Sequence, residues 1–311
     1  MSKTMDCFTS LAMTKTTVTA RSAATWQSMR VLALALLTLT TSAIAQHTPP
    51  NTQRIRPMSQ ETPTTAFFYQ KPVVLDREQH KGLRLKNTDA RFAAKNQAVP
   101  LVAGEFPEAC LEYPIVFTQG QDGQWLALAL TGLQANANAF VDARGLWNAR
   151  YVPASVRRYP FILAEGTNDQ LSLAADLAAS QLGTEGEALF DDKGEPTELA
   201  KNVLQMLADF QGQAKATSAL AKQLSDAGLL TQQNLQVRLG EERSAVVEGV
   251  WIVDEAKLRQ LPDDKVLAWF KGGELAAIHA QMLSLRNLLP LLERSQPAKT
   301  NDKPGKKAKG S

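Results

Sequence analysis

From Leu199 onward the apolar residues return every three or four positions, or at small multiples of that step: Leu199, Val203, Leu207, Phe210, Ala214, Leu220 and Leu224. One stripe of that period predicts a long amphipathic helix, with Thr197 as its N-cap and Gly228 as its stop. Gly212 in its middle weakens the helix by up to ~1 kcal/mol and marks the place where a bend is expected.

The chain before that helix has a different texture. Phe67 to Leu85 reads as an extended segment, a polar turn and a short strand. Val99 to Val102 and Ile115 to Phe117 are short apolar runs marked by Pro100 and Pro114, and they read as strands. Gly120 to Gly123 carries turn chemistry, and Trp125 to Leu130 after it is a nearly continuous apolar strand. Phe140 to Asp142, Gly145 and Trp147 suggest a hairpin, while Tyr159 to Ala164 and Leu171 to Leu177 bracket a turn at 166–169.

After the long helix, Leu235 to Leu239 and Val246 to Val253 predict a hairpin around Gly240 to Arg243. Asp254 caps a short helix that ends before Pro262, and Asp263 caps another that stops at Gly272 and Gly273. Leu275 to Arg294 reads as a final helix disturbed at Pro290. No internal repeat is found. The order predicts an α+β fold: a mostly antiparallel, strand-rich N-terminal half with the long helix, a β-hairpin and C-terminal helices packed on it.

At 44% hydrophobic and 21% charged residues the chain has ordinary globular composition. Its net charge of +3 is unevenly placed, because residues 1–45 and the tail from Ser295 are both basic. Between Gln46 and Arg294 there are 25 basic and 29 acidic residues, so the body lacks the concentrated positive face a nucleic-acid groove requires. The lysine-rich tail, residues 295–311, reads as a disordered end, with a polyanion-binding arm as the alternative.

From Met29 the sequence MRVLALALLTLTTSAIAQ has the layout of a secretory signal: one Arg, an apolar run, then Ala43-Ile44-Ala45 before Gln46. Residues 1–45 are therefore expected to be a signal-like segment, or else an upstream extension with the start at Met29 or Met58. Residues 46–66 read as a disordered linker and 67–294 as a single domain. The first choice places the protein outside the cytoplasm, and a start near Met58 keeps it inside. No other run approaches the ~20 apolar residues of a membrane span.

The Gly-rich phosphate loop, the dinucleotide fingerprint, the helical zinc-protease pair and the serine elbow are all missing. No cofactor and no metal site is expected. Cys7 and Cys110 are the only cysteines, and Cys110 reads as a small buried hydrophobe. Of the three histidines, His80 lies in the polar cluster Asp76-Arg77-Glu78-Gln79-His80-Lys81. It reads either as a general base or ligand helped by Asp76 or Glu78, or as part of a solvated turn. His279 lies at the edge of the last helix's apolar stripe and reads as a hydrogen-bonded core residue. A metal site would require the two to meet with a carboxylate across some 200 residues.

The densest stretch is Asn138 to Gly166, which packs Trp147, Tyr151, Tyr159 and Phe161 among Arg150, Arg157 and Arg158, with Pro153 and Pro160 stiffening it. In a strand, Arg157 and Arg158 point to opposite faces, so that one can enter a pocket while the other stays in water. A guanidinium grips carboxylate or phosphate with paired hydrogen bonds and stacks on rings such as Tyr159 or Tyr151. The competing reading is an internal salt bridge to Glu105, Asp142 or Glu165. Trp125, Trp147, Trp251 and Trp269 read as core or interface rings.

These residues resemble the SapC family, named for a protein associated with bacterial surface layers. The resemblance is carried by Phe68-Tyr69-x-Lys71-Pro72-Val73-x-Leu75-Asp76-x-Glu78-x-His80 and most of all by Tyr151-Val152-Pro153-Ala154-x-Val156-Arg157-Arg158-Tyr159-Pro160-Phe161. Leu189-Phe190-Asp191, Gly194-Glu195-Pro196, Asp254-Glu255-x-Lys257-Leu258 and His279 extend it over about residues 67–293. The resemblance implies involvement with surface-layer protein or its export and brings no reaction, cofactor or catalytic residue. The expected function is a non-enzymatic accessory protein that binds a protein or peptide partner at the cell surface through Trp147, Tyr151, Arg157, Arg158 and Tyr159. The alternative is an enzyme using His80 with Asp76 or Glu78, completed by His279. Oligomeric state is not legible.

Overall fold

The strand and helix signals of the sequence sort, in a computed structural model, into three sheets crossed by one long helix. The structure describes residues 52–55, 67–86, 89–120, 122–165, 171–241 and 243–295. The signal-like segment and the lysine-rich tail beyond Ser295 lie outside them, as does the turn expected at 166–169.

In chain order, β1 (Thr52–Ile55) falls inside the stretch expected as linker and is followed by β2 (Pro72–Val74), β3 (Arg84–Leu85) and β4 (Ala98–Leu101). The one-turn helix α1 (Phe106–Ala109) leads into the hairpin of β5 (Ile115–Gln119) and β6 (Trp125–Leu130). The one-turn helix α2 (Ala154–Arg157) precedes β7 (Phe161–Glu165) and β8 (Leu171–Asp176), then the short β9 (Leu182–Gly183) and β10 (Glu187–Ala188). Helix α3 (Glu198–Asp226) is the long one, and it runs unbroken through Gly212. The Thr197 side chain caps it by accepting from the Ala200 N–H, and Gly228 just beyond its end takes the left-handed conformation at φ 70°.

The C-terminal hairpin is longer than its apolar runs suggest: β11 (Leu230–Leu239) pairs with β12 (Arg243–Val253). Much of β11 faces water, so its first half carries no alternation to read. Helices α4 (Glu255–Leu258), α5 (Asp263–Gly272), α6 (Glu274–Ser284) and α7 (Leu288–Arg294) complete the chain. Asp263 sits inside α5, and Pro262 holds its cap position. The predicted last helix breaks at Leu285–Asn287 rather than at Pro290 itself. Proline lacks an N–H and crowds the carbonyl four residues back, here Arg286, so the disturbance falls one turn early.

A six-stranded sheet runs β1-β12-β5-β6-β4, with β11 along the other side of β12. It is antiparallel except for β1, which lies parallel to β12 from Ser244 to Val247. The fold is thus α+β, as expected. Helices α6 and α7 cover this sheet, and the buried amide of Gln281 ties β5 to β12 by donating to the Ile115 carbonyl and accepting from the Val253 N–H. Two three-stranded sheets, β10-β3-β9 and β2-β8-β7, lie beside it. Among the described residues no helix is long and apolar enough to cross a membrane.

The β2-β8-β7 sheet separates two apolar cores. Strand alternation sends Ile162 and Ala174 into the larger core and Phe161, Leu173 and Ala175 into the smaller. Helix α3 passes over β7, so its first turns (Ala200, Val203, Leu207) fill the smaller core and its last turns (Leu220, Ala221, Leu224) the larger. Phe210, buried in the middle of the helix, belongs to neither. That seam is where the site forms.

Candidate functional site

The stretch from Tyr151 to Phe161 does not fold as one strand. Pro153 supplies φ −54° at the cap position and α2 follows, so Arg157 closes a helical turn and Arg158 caps it. The two arginines still reach different environments, as the strand reading required, but through the pitch of a helical turn. Arg157 is exposed; its Nε donates to the Val152 carbonyl at 3.0 Å and its guanidinium lies 5.9 Å from the centre of the Tyr151 ring. Arg158 is only 8% exposed and lies between two rings, 4.4 Å from the centre of Phe210 and 5.7 Å from that of Tyr69.

No internal salt bridge holds either arginine among the described residues. Glu105 and Asp142, two of the expected partners, are engaged elsewhere. Asp142 pairs with Arg144 at 3.0 Å. Glu105, 6% exposed, accepts from the Tyr151 hydroxyl at 2.6 Å, the Ala154 N–H at 2.6 Å and the Val102 N–H at 3.0 Å. This carboxylate therefore pins the first turn of α2 to the segment before α1. Arg158 has nothing comparable: its side chain makes no hydrogen bond among the described residues, and its buried Nε is without a partner. Burial lowers the Arg158 pKa below its ordinary value, opposed in part by the Tyr69 hydroxyl. Burial and the bond to Glu105 push the Tyr151 hydroxyl up to about 12.

Of the clefts that open along α3, two are lined by both Arg158 and Phe210. The first, about 490 Å³, lies between α2 and the polar flank of the helix; Tyr151 and Arg157 face Asn202, Gln205 and Asp209 across it, with Glu105 also in its wall. The second, about 560 Å³, lies between α3, β7 and the start of β6, and is walled largely by apolar side chains.

Of the five residues expected to bind, Tyr151, Arg157 and Arg158 thus share the first cleft, while Tyr159 and Trp147 do not line it. Tyr159 is 5% exposed, stacks on Phe92 at 3.8 Å between centroids and donates to Asp176 Oδ2 at 3.2 Å. Trp147 is half-buried, stacked on Phe140, with its indole N–H donated to the Tyr113 hydroxyl at 2.9 Å. That hydroxyl in turn donates to the Tyr151 carbonyl. Both rings support the turn from behind. The other tryptophans pack as expected: Trp125 and Trp269 are buried, and Trp125 meets Trp251 edge-on.

His80 lies in the turn between β2 and β3, where its Nδ1 accepts from the Asp76 N–H at 2.9 Å. The Gln79 and Glu78 N–H groups hold the exposed Asp76 carboxyl below its ordinary pKa. These contacts describe a self-capped, solvated turn. His279 is exposed on α6, its Nδ1 2.7 Å from the Leu275 carbonyl, which corrects the expectation of a core residue. It sits one position past the buried Ile278, where the helix turns its flank to water. Each histidine bonds within its own element, and no group of three His, Cys, Asp or Glu side chains that could hold a metal ion occurs among the described residues. Cys110 is buried, and burial raises its thiol pKa.

Sequence reasoning missed Glu105 as an anchor and Phe210 as a pocket wall. Glu105 carried a signal, being an acidic residue in an otherwise apolar stretch; Phe210 was indistinguishable from its neighbours on the stripe.

A family model described as SapC matches residues 75–291, which takes in α2, both clefts and nearly all of the described fold. No curated protein and no solved structure matches the chain.

Proposed function

Since the chain belongs to the SapC family, we propose that it is a non-enzymatic accessory protein of the bacterial cell surface or of surface-layer protein export, and that it binds a peptide segment of a protein partner in the cleft between α2 and α3. The observation that carries this reading is the convergence of Tyr151, Arg157 and Arg158 on one open cleft, with neither arginine in an ion pair among the described residues. The opposite wall presents amides and a carboxylate at helical spacing, Asn202, Gln205, Asp209 and Gln213, which suit the backbone groups and side chains of an extended peptide. Arg157, exposed and resting on Tyr151, supplies a fork for an acidic side chain. The turn is rigid before any ligand arrives, because Glu105, Tyr113 and Trp147 fix it from behind, and a pre-ordered wall lowers the cost of binding.

The test is titration of the purified full chain with overlapping peptides that tile the surface-layer protein of the same cell. One or a few acidic peptides are expected to bind, and Arg157→Ala is expected to weaken them about tenfold or more. Absence of binding by every peptide, or binding indifferent to Arg157→Ala, overturns the reading.

A further inference from the structure

The second cleft asks for a different ligand. Its α3 wall is a single helical face, Leu207, Phe210, Ala214, Ser218 and Lys222 at three- and four-residue steps, with Lys215 beside them. At about 1.5 Å per residue that face is about 22 Å long, so the cleft is a groove rather than a round hole. Its volume of about 560 Å³ falls within the range of about 300–1,000 Å³ found for small-molecule sites.

The opposite wall is Ile162 and Leu163 of β7 with Trp125 and Leu126 of β6. Arg158 lies against Phe210, toward one end of the groove, and Lys222 stands at the other. Asp122 is the one acidic side chain in the lining, and its Oδ1 accepts from the Gln124 N–H within its own turn.

A guanidinium buried to this degree and without a partner among the described residues carries a large desolvation penalty that an anion would relieve. A ligand with polar groups along its length would lose their hydration against the leucine, isoleucine and aromatic walls. One with a single terminal charge would not. We infer that this groove binds a chain-like aliphatic carboxylate of the fatty-acid class, its carboxylate on Arg158 and its tail along α3 toward Trp125. The groove shares Arg158 with the peptide reading, but Arg157 and the polar flank of the helix lie outside it, so the response to tail length and to Ala214→Trp separates the two.

The experiment is calorimetric titration of the full chain with a series from octanoate to hexadecanoate below their micelle concentrations. The controls are dodecanol, dodecyltrimethylammonium and an apolar peptide with a free C-terminal carboxylate. One carboxylate per chain is expected to bind, with affinity rising with tail length until the groove is filled. Dodecanol and the cationic amphiphile are expected to bind about tenfold to a hundredfold more weakly, as is dodecanoate to Arg158→Met. Ala214→Trp, which narrows the groove without changing a charge, is expected to remove binding of the long chains first. If Arg158→Met were misfolded, the wild-type comparison of dodecanoate with dodecanol would still decide the matter. Equal affinity for dodecanol, several amphiphiles per chain, or binding of the peptide carboxylate (for example as an added strand on β7) in place of dodecanoate would each overturn the inference.

Discussion

Two buried charges stand on either side of α2, Glu105 before it and Arg158 at its end, and they are exposed to nearly the same extent, 6% and 8%. Glu105 receives three hydrogen bonds, two of them from backbone N–H groups that otherwise have no acceptor. Among the described residues Arg158 receives only the faces of two rings. Burial alone therefore says little about what a charged side chain is for. A satisfied charge fixes the backbone around it, whereas an unsatisfied one beside an open cleft stands to gain from a counter-charge. The same helix forms a wall for both regions, lined by Asn202, Gln205 and Asp209 toward the Glu105 flank and by Leu207, Ala214 and Lys215 toward β7, so one element presents two different surfaces.

Removing the satisfied member of the pair should produce the largest effect. Glu105→Ala leaves the Val102 and Ala154 N–H groups and the Tyr151 hydroxyl without their acceptor, and should destabilise the fold by about 3–5 kcal/mol in denaturant unfolding. An unchanged midpoint would show that water replaces the carboxylate freely, and the contrast with Arg158 would collapse.

Arg158→Met should act in the opposite direction. It removes an uncompensated buried charge and keeps most of the volume, so the ligand-free protein should gain about 1–3 kcal/mol. Destabilisation of similar size would mean that the ring contacts hold the guanidinium well enough to make it structural.

The smallest effect concerns pH. Burial pushes the Tyr69 hydroxyl up to about 12, and burial with the Glu105 bond pushes that of Tyr151 up to about 12, from an ordinary value of 10.0. In both, the folded state favours the protonated form. Their contribution is complete below pH 10, where neither state ionises, and is lost as pH rises through about 12. Stability should accordingly fall between those values, and tyrosinate absorbance should appear late. The positive charge of Arg158 lowers the Tyr69 value, so Arg158→Met should delay that absorbance further. An unmoved Tyr69 titration would show that the two groups do not sense each other.

Much of the fold was legible because it rests on period and caps. The stripe from Leu199 to Leu224, the Thr197 cap and the Gly228 stop located α3 almost to the residue. The Gly120–Gly123 turn and the Asp254 cap were equally local. The site was legible only in part. The composition of Tyr151 to Phe161 announced a pinned, aromatic, cationic surface, and Tyr151, Arg157 and Arg158 do share a cleft. Tyr159 and Trp147 were indistinguishable from them by residue type. Whether a ring faces water or a neighbour such as Phe92 or Tyr113 depends on chain 34 to 67 residues away.

By itself, then, the sequence determined the order of the longer elements, the α+β class and the family, because helical period, turn chemistry and capping act within a few residues. The tertiary structure decided that Glu105 would bind the backbone of α2 and that Arg158 would lie beside Phe210 with no ion pair among the described residues. It also decided that α3 would pass over β7 and that clefts would open along its flanks. Those outcomes depend on which distant groups arrive first at a charge being taken out of water, and no local pattern encodes that.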